Sequence, residues 1–287
     1  MRISRMAAIA TAAVLAMSAA ACGDGSDNAG GGGSADGIVG KAASGKLVIG
    51  VKSDQPGLGL QTGTTYEGFD IEVGKIVAKG LGLDPAKVEW KTTVSANREP
   101  FIEQGQVDLV IATYTINDDR KKKVAFGGPY YVAGQDLLVA TASTITGPAD
   151  LDGKKVCSVA GSTPAKRIKE EYPKIGLQEF DSYSKCVQAL GTGQVDAVTT
   201  DDIILAGYAA QAEYAGKFKV VGKPFSKEPY GIGLKKTDTA GCKKINEILV
   251  AAVADGTYKA AWDSTLGKGG TPAPAGPTAA DLANCPA

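Results

Sequence analysis

Gln104-Gly105-Gln106-Val107-Asp108-Leu109-Val110 and Thr192-Gly193-Gln194-Val195-Asp196-Ala197-Val198 repeat one pattern at two places in the chain. Each reads as the end of a helix, a glycine turn and the entry to a β-strand. One such unit is ordinary; its recurrence predicts two lobes of like architecture.

The flanks of both copies support this reading. Before the first, Leu47-Val48-Ile49-Gly50-Val51 reads as a strand, and Phe69, Val73, Ile76 and Val77 fall on one helix face ahead of the Gly80-Leu81-Gly82 stop and Pro85. Val88 to Thr92 is a second strand, Pro100 opens a helix, Val107 to Ala112 is a third strand, and a further helix begins near Asn117. Around the second copy, Lys155 to Val159 reads as a strand and Thr163-Pro164 as a capped helix start with proline at its first position. Tyr183, Cys186, Val187 and Leu190 form another amphipathic face, and the strand Val195 to Thr199 leads into a helix from Asp201. Short β-branched runs alternating with helices predict an α/β fold with largely parallel sheets. Gln135 to Ala140 is an apolar run able to carry the chain between lobes, and Tyr230-Gly231-Ile232-Gly233-Leu234 is the candidate return. Cys242, Ile245, Leu249 and Val253 mark a last long helix, after which the tail from Gly267 reads as an extended wrap pinned by Cys285.

The ends carry other information. Met1-Arg2-Ile3-Ser4-Arg5, an Ala-rich apolar run from Met6 to Ala21, and then Cys22 read as an export signal over residues 1–21. Ala20-Ala21-Cys22 resembles a bacterial lipobox, which makes Cys22 the expected lipidation site, although Ala19 stands where leucine is usual. Residues 22–45 have the Gly/Ser/Ala composition of a flexible tether, so folding is expected to begin near Lys46.

Composition narrows the chemistry. In 287 residues, 31 Lys+Arg balance 31 Asp+Glu, which argues against a generally basic surface for nucleic acid. The chain has no histidine, which removes Ser-His-Asp and Cys-His catalysis and weakens any case for a metal site; no cofactor is called for. Besides Cys22 there are four cysteines, Cys157, Cys186, Cys242 and Cys285, an even number in an exported chain. Three pairings are open.

Gly68-Phe69-Asp70-Ile71-Glu72-Val73 carries a resemblance to the polar amino acid family of type 2 periplasmic binding proteins, the bacterial extracellular solute-binding proteins of family 3. Gly105-Gln106-Val107-Asp108, the run Ala112 to Arg120, the run Phe126 to Tyr131 and Gly161-Ser162-Thr163 follow in the family's order. Lys52 to Gly59, with Gly134 to Val139, looks more narrowly like the actinobacterial glutamate-binding branch. The resemblance implies a Venus-flytrap fold: two α/β lobes joined by two crossover strands, with the ligand trapped by hinge closure. It places residues 46–137 plus 231–287 in one lobe and 138–230 in the other. Pairing Cys157 with Cys186 and Cys242 with Cys285 then keeps each bridge within a lobe.

A free amino acid presents a carboxylate and an ammonium, and a dry cleft must answer both. Arg120 is the candidate for the carboxylate, since Asn117 as cap places it in the first helical turn; a solvated charge run from Asp118 to Lys123 is the alternative. Ser162 and Thr163 can add backbone N–H groups from the other lobe, or serve only as caps. Asp201, at the carboxyl end of its strand, aligns with the family aspartate that takes the ammonium, with Asp202 competing for the role. Thr113 and Thr115 would contribute a carbonyl and a hydroxyl. Glutamine binders of the family carry an aspartate where this chain has Lys52 and an aromatic where it has Ser95, so Lys52, with Arg98, suggests a second ligand carboxylate. Arg98 serves equally well as a structural ion pair, and Tyr66 either walls the pocket or packs.

What the resemblance implies is a monomeric lipoprotein on the outer face of the cell membrane. It would bind an acidic amino acid, glutamate first, for the permease subunits of an ABC importer, without enzymatic activity. Glutamine, asparagine or another polar amino acid is the alternative ligand, and a cyclohexadienyl dehydratase on the same fold is the enzymatic one.

Overall fold

The computed structural model describes residues 37–282 and 284–286. The export signal, Cys22 and the first part of the tether lie outside the described residues.

In chain order the first lobe contains α1 (Ile38–Ala43), β1 (Leu47–Val51), a small hairpin sheet of β2 (Asp54–Gln55), β3 (Gly59–Thr62) and β4 (Thr65–Glu67), and α2 (Phe69–Gly80). It continues with β5 (Val88–Thr92), α3 (Arg98–Glu103), β6 (Leu109–Val110), α4 (Asp118–Lys121) and β7 (Val124–Ala133). The second lobe holds β8 (Gln135–Ala140), β9 (Lys155–Val159), α5 (Thr163–Glu171), β10 (Gly176–Phe180), α6 (Tyr183–Gly191), β11 (Ala197–Asp201), α7 (Asp202–Ala209) and β12 (Phe218–Val220). The chain then returns to the first lobe as β13 (Glu228–Lys235), α8 (Thr239–Ala254) and α9 (Thr257–Asp263).

The two central sheets have one topology. Their orders are β5-β1-β6-β13-β7 and β10-β9-β11-β8-β12. In each, the fourth strand is the one that arrives directly from the other lobe, and it runs antiparallel to both neighbours. The sheets are therefore mixed rather than all-parallel, because a strand entering without a helical crossover must run the other way.

The repeated motif explains why the lobes match. Gly105 and Gly193 adopt φ of +67° and +72°, the left-handed region that the turn into each third strand requires. Asp108 N–H donates to the Val48 carbonyl and the Asp108 carboxylate accepts from Val48 N–H, both at 2.8 Å. Asp196 repeats this with Lys155, at 2.7 and 2.8 Å. Each aspartate thus fixes the register of the third strand against the first.

Three boundaries differ from the sequence expectation. Folding starts before residue 46: Ile38 and Ala42 in α1 are buried, and Ile38 N–H donates 2.8 Å to Asp238 of the α8 cap. The crossings also come earlier than 137/138 and 230/231. β7 ends at Ala133, Gln135 already pairs with Asp201 in the second sheet, and β13 begins at Glu228. Gln135 and Asp136 are polar yet buried, because the crossing strands bond each other: Gln135 N–H donates to Ser226 Oγ (3.0 Å) and Phe225 N–H to the Gln135 carbonyl (2.9 Å). Arg167 spans both crossings, reaching Gln135 Oε1 at 3.1 Å and Glu228 Oε1 at 3.2 Å.

The disulfides Cys157–Cys186 and Cys242–Cys285 are present, joining β9 to α6 and α8 to the C-terminal tail.

Candidate functional site

Strand ends of both lobes face each other between the sheets. The first lobe presents Ser95, Arg98, Thr113 and Thr115, and the second presents Ser162, Thr163, Pro164, Tyr183, Asp201 and Ile204, around a cavity of about 10 Å³. A wider groove of about 810 Å³ lies between α2, α8 and α9, but its charged groups, among them Lys75, Lys79 and Asp255, are solvated rim residues. The interlobe cleft, in contrast, gathers buried charges of both signs: Lys52, Arg98 and Arg120 on one side and Asp201 on the other.

Arg120 is held on every edge. Asn117 caps α4 by accepting from Arg120 N–H at 2.9 Å, which points the side chain back toward the cleft. Its Nη1 donates to the Thr115 carbonyl (2.7 Å) and to Thr163 Oγ1 (3.2 Å), and Nη2 donates to the Gly161 carbonyl (3.1 Å). Nε sits 3.2 Å from Glu99 Oε1. Arg120 is only 6 % exposed, so the solvated-run alternative does not describe it, although Asp118, Asp119, Lys122 and Lys123 around it are exposed.

Arg98 lies beside it with carbonyl partners alone: Ser95 (3.2 Å), Ala112 (3.1 Å), Thr113 (3.3 Å) and, across the cleft, Gly161 (3.4 Å). The structural ion pair considered for Arg98 is absent among the described residues. Both guanidiniums stand over the buried Tyr114 ring, at 4.5 and 4.9 Å from its centroid. Burial and the neighbouring Arg120 charge lower the Arg98 pKa to about 10. Lys52 is buried with one partner, Ser95 Oγ at 2.8 Å. Burial, then the Arg98 charge, brings its ammonium down to about 7.

The second lobe supplies the opposite charge. Asp201 ends β11 and is 3 % exposed. Its Oδ2 accepts from Tyr230 O–H at 2.6 Å, while Oδ1 is buried without a hydrogen-bond partner among the described residues. Burial, then the nearby Glu228 carboxylate, raises its pKa to about 7. The Asp202 carboxylate instead accepts from the backbone N–H groups of Gly134 (3.3 Å) and Ile203 (2.7 Å). Ser162 accepts from Ala165 N–H at 3.1 Å and starts α5, leaving Thr163 beside Arg120.

Thr113 is the non-glycine residue with positive φ (+45°) among those described, and three bonds hold it there. Its N–H donates to Asp70 Oδ2 (2.9 Å), its hydroxyl lies 3.2 Å from Gln55 Oε1, and its carbonyl accepts from Arg98. Asp70 is itself buried and accepts from Tyr130 O–H at 2.7 Å; burial raises it to about 6. The aspartate of the Gly-Phe-Asp motif therefore supports the cleft from behind.

The structure brings together Arg120, Asp201, Thr113, Thr115, Ser162, Thr163, Lys52 and Arg98. It does not bring Tyr66. That residue lies on β4, with its hydroxyl 2.8 Å from Thr92 Oγ1 and its side chain packed against the hydrophobic core, the packing alternative of the sequence reading. Sequence reasoning missed Glu99, Tyr114, Tyr183 and Tyr230; adjacency to Arg98 and to the Thr113–Thr115 run was the available signal for the first two.

Residues 47–267 match the family described as bacterial extracellular solute-binding proteins, family 3. A protein of Corynebacterium efficiens named glutamate-binding protein GluB is 44 % identical over 278 residues, covering 92 % of each chain. The ABC transporter glutamine-binding protein GlnH of Bacillus subtilis is 41 % identical over 216 residues, 74 % of this chain and 78 % of the relative. Among solved structures, an ancestral arginine-binding protein bound to glutamine superposes with a TM-score of 0.72 at 37 % identity, covering 78 % of this chain and 98 % of that one.

Proposed function

The chain belongs to the bacterial extracellular solute-binding proteins, family 3, and we propose that it captures free glutamate outside the cytoplasm and presents it to the permease of an ABC importer. Arg120 takes the α-carboxylate and Asp201 the α-ammonium, so that each lobe contributes one half of the grip. Opening at the crossings around Gly134 and Ser226–Lys227 admits the ligand, and closure buries it; binding free energy shifts the protein toward the closed form that a permease can recognise. The export signal and Cys22 support a lipid anchor on the outer membrane face.

One observation carries the choice of an acidic ligand. Lys52 and Arg98 are buried cations at the cleft with no carboxylate partner among the described residues. A buried charge left unpaired is costly, by several kcal/mol. The γ-carboxylate of glutamate neutralises that wall, whereas the γ-amide of glutamine leaves it cationic. Glutamate therefore fits better than glutamine, in keeping with the greater coverage of the relative named for glutamate.

The test is a calorimetric comparison of glutamate, aspartate, glutamine, asparagine and histidine. Glutamate binding tightest is the expected result; glutamine binding tighter than glutamate defeats the acidic assignment. Metabolic labelling with a radioactive fatty acid in a bacterial host checks the anchor: incorporation lost in Cys22→Ala supports it, and incorporation that persists in that variant contradicts it.

A further inference from the structure

We propose that Glu99 is a positioning residue for Arg120: its carboxylate grips the back edge of the guanidinium and turns the Nη1/Nη2 end into the cleft. The inference rests on the amino acid reading of the cleft and adds to it a residue that the ligand never touches.

The geometry is specific. Glu99 Oε1 lies 3.2 Å from Arg120 Nε, while Nη1 and Nη2 reach across to Thr163 and Gly161 of the second lobe. A guanidinium has a side edge and a forked end, and holding one fixes the direction of the other. The Tyr114 ring beneath fixes its plane. Rotation of the side chain about its long axis is thereby blocked.

The pair is also unlike the others in the molecule. Its two side chains are 8 % and 13 % exposed, whereas every other ion pair among the described residues has a partner at least 25 % exposed. Exposed pairs contribute little; a nearly buried one fixes geometry, and losing one partner strands the other charge. Glu99 follows Arg98 at the start of α3, so one short turn aims a cation at the cleft and an anion at the neighbouring cation. Of the three buried cations on this wall, Arg120 alone has a carboxylate in contact among the described residues, and that carboxylate sits on the side edge at Nε. The charge of Arg120 is balanced from the side edge, while its forked end faces the second lobe at Thr163 and Gly161.

A mutant series against two ligands separates positioning from general support. Glutamate and its α-amide, which lacks the α-carboxylate, are titrated into the protein and into its Glu99→Ala, Glu99→Gln and Arg120→Ala variants. If Glu99 acts through Arg120, Glu99→Ala weakens glutamate by about tenfold and the α-amide by much less, since the amide makes little use of the guanidinium. Glu99→Gln, which keeps an acceptor oxygen at the same reach, restores part of the difference and serves where the alanine variant does not fold. An unchanged ratio of the two affinities in both Glu99 variants overturns the proposal. Arg120→Ala is the separate control: loss of glutamate binding upholds the cleft reading, and retention of wild-type affinity defeats that reading and this inference with it.

Discussion

Tyr230 O–H donates to Asp201 Oδ2 at 2.6 Å from a strand of the opposite lobe, leaving Oδ1 buried and free. Half of the carboxylate is anchored, and the other half is an acceptor without a hydrogen-bond partner among the described residues. In the proposed complex the α-ammonium takes that place. Asp201→Asn keeps the size and removes the charge, so glutamate affinity is expected to fall by about 100-fold, since truncating one side of a buried charge pair costs about 2–5 kcal/mol. Tyr230→Phe, which only releases the anchor, should cost about tenfold or less. Calorimetry measures both; equal effects, or none for Asp201→Asn, contradict the assignment.

The same groups set a pH dependence. Asp201 has its pKa raised to about 7 and must be ionised to take an ammonium, so binding releases a proton on the acid side and affinity falls as pH drops below neutrality. Lys52 has its pKa lowered to about 7 and must be protonated to take a carboxylate, so glutamate binding takes up a proton and affinity falls as pH rises above neutrality. Glutamate titrations between roughly pH 5 and 9 should give a maximum near neutrality, and glutamine should lack the alkaline decline. An alkaline decline shared by both ligands would move the titrating group away from Lys52.

Lys52→Met removes the charge and keeps much of the buried stem. Glutamate should lose at least about tenfold more affinity than glutamine, the ratio expected from one lost charge-assisted contact. An equal loss for both ligands places the selectivity elsewhere in the cleft.

Closure itself has a contact point remote from the ligand groups. A Cβ on Gly207 would lie 2.4 Å from the Pro56 carbonyl oxygen, and next to it Tyr208 O–H and Ser184 N–H bond Asp54 across the cleft. Gly207→Ala should therefore weaken glutamate and glutamine by the same factor, and small-angle scattering with saturating ligand should show a larger radius of gyration than the wild type. A selective loss for one ligand, or an unchanged radius, contradicts a role in closure.

The bridge Cys242–Cys285 pins the C-terminal tail, which also receives Asn246 Nδ2 on the Leu282 carbonyl at 2.7 Å. Replacing both cysteines by serine is expected to lower unfolding free energy by about 2–4 kcal/mol while glutamate affinity stays near wild type. Denaturant unfolding checks the first part and calorimetry the second.

Much of this was legible in the chain because the signals were local. The glycine turns at 105 and 193 and the aspartates at 108 and 196 repeat within each lobe, and Asn117 announces the cap that directs Arg120. The missed features depend on distant partners. α1 lies in a stretch of tether composition and is held by Asp238, 200 positions away, which no sequence window contains. Gln135 and Asp136 read as the start of an apolar crossing, yet they are buried polar residues bonded by the returning segment near Gly222 and Ser226. Glu99 gave no periodic or motif signal, since its contact with Arg120 exists only once β6 and α4 bring Arg120 beside α3.

The central claim is the orientation of a zwitterion between the lobes, and a crystal structure of the glutamate complex tests it most directly. The α-carboxylate on Arg120 and the ammonium within about 3 Å of Asp201 Oδ1, with the γ-carboxylate toward Lys52, is the expected result. Glutamate bound outside the interlobe cleft, or within it with neither Arg120 nor Asp201 in contact, would contradict it.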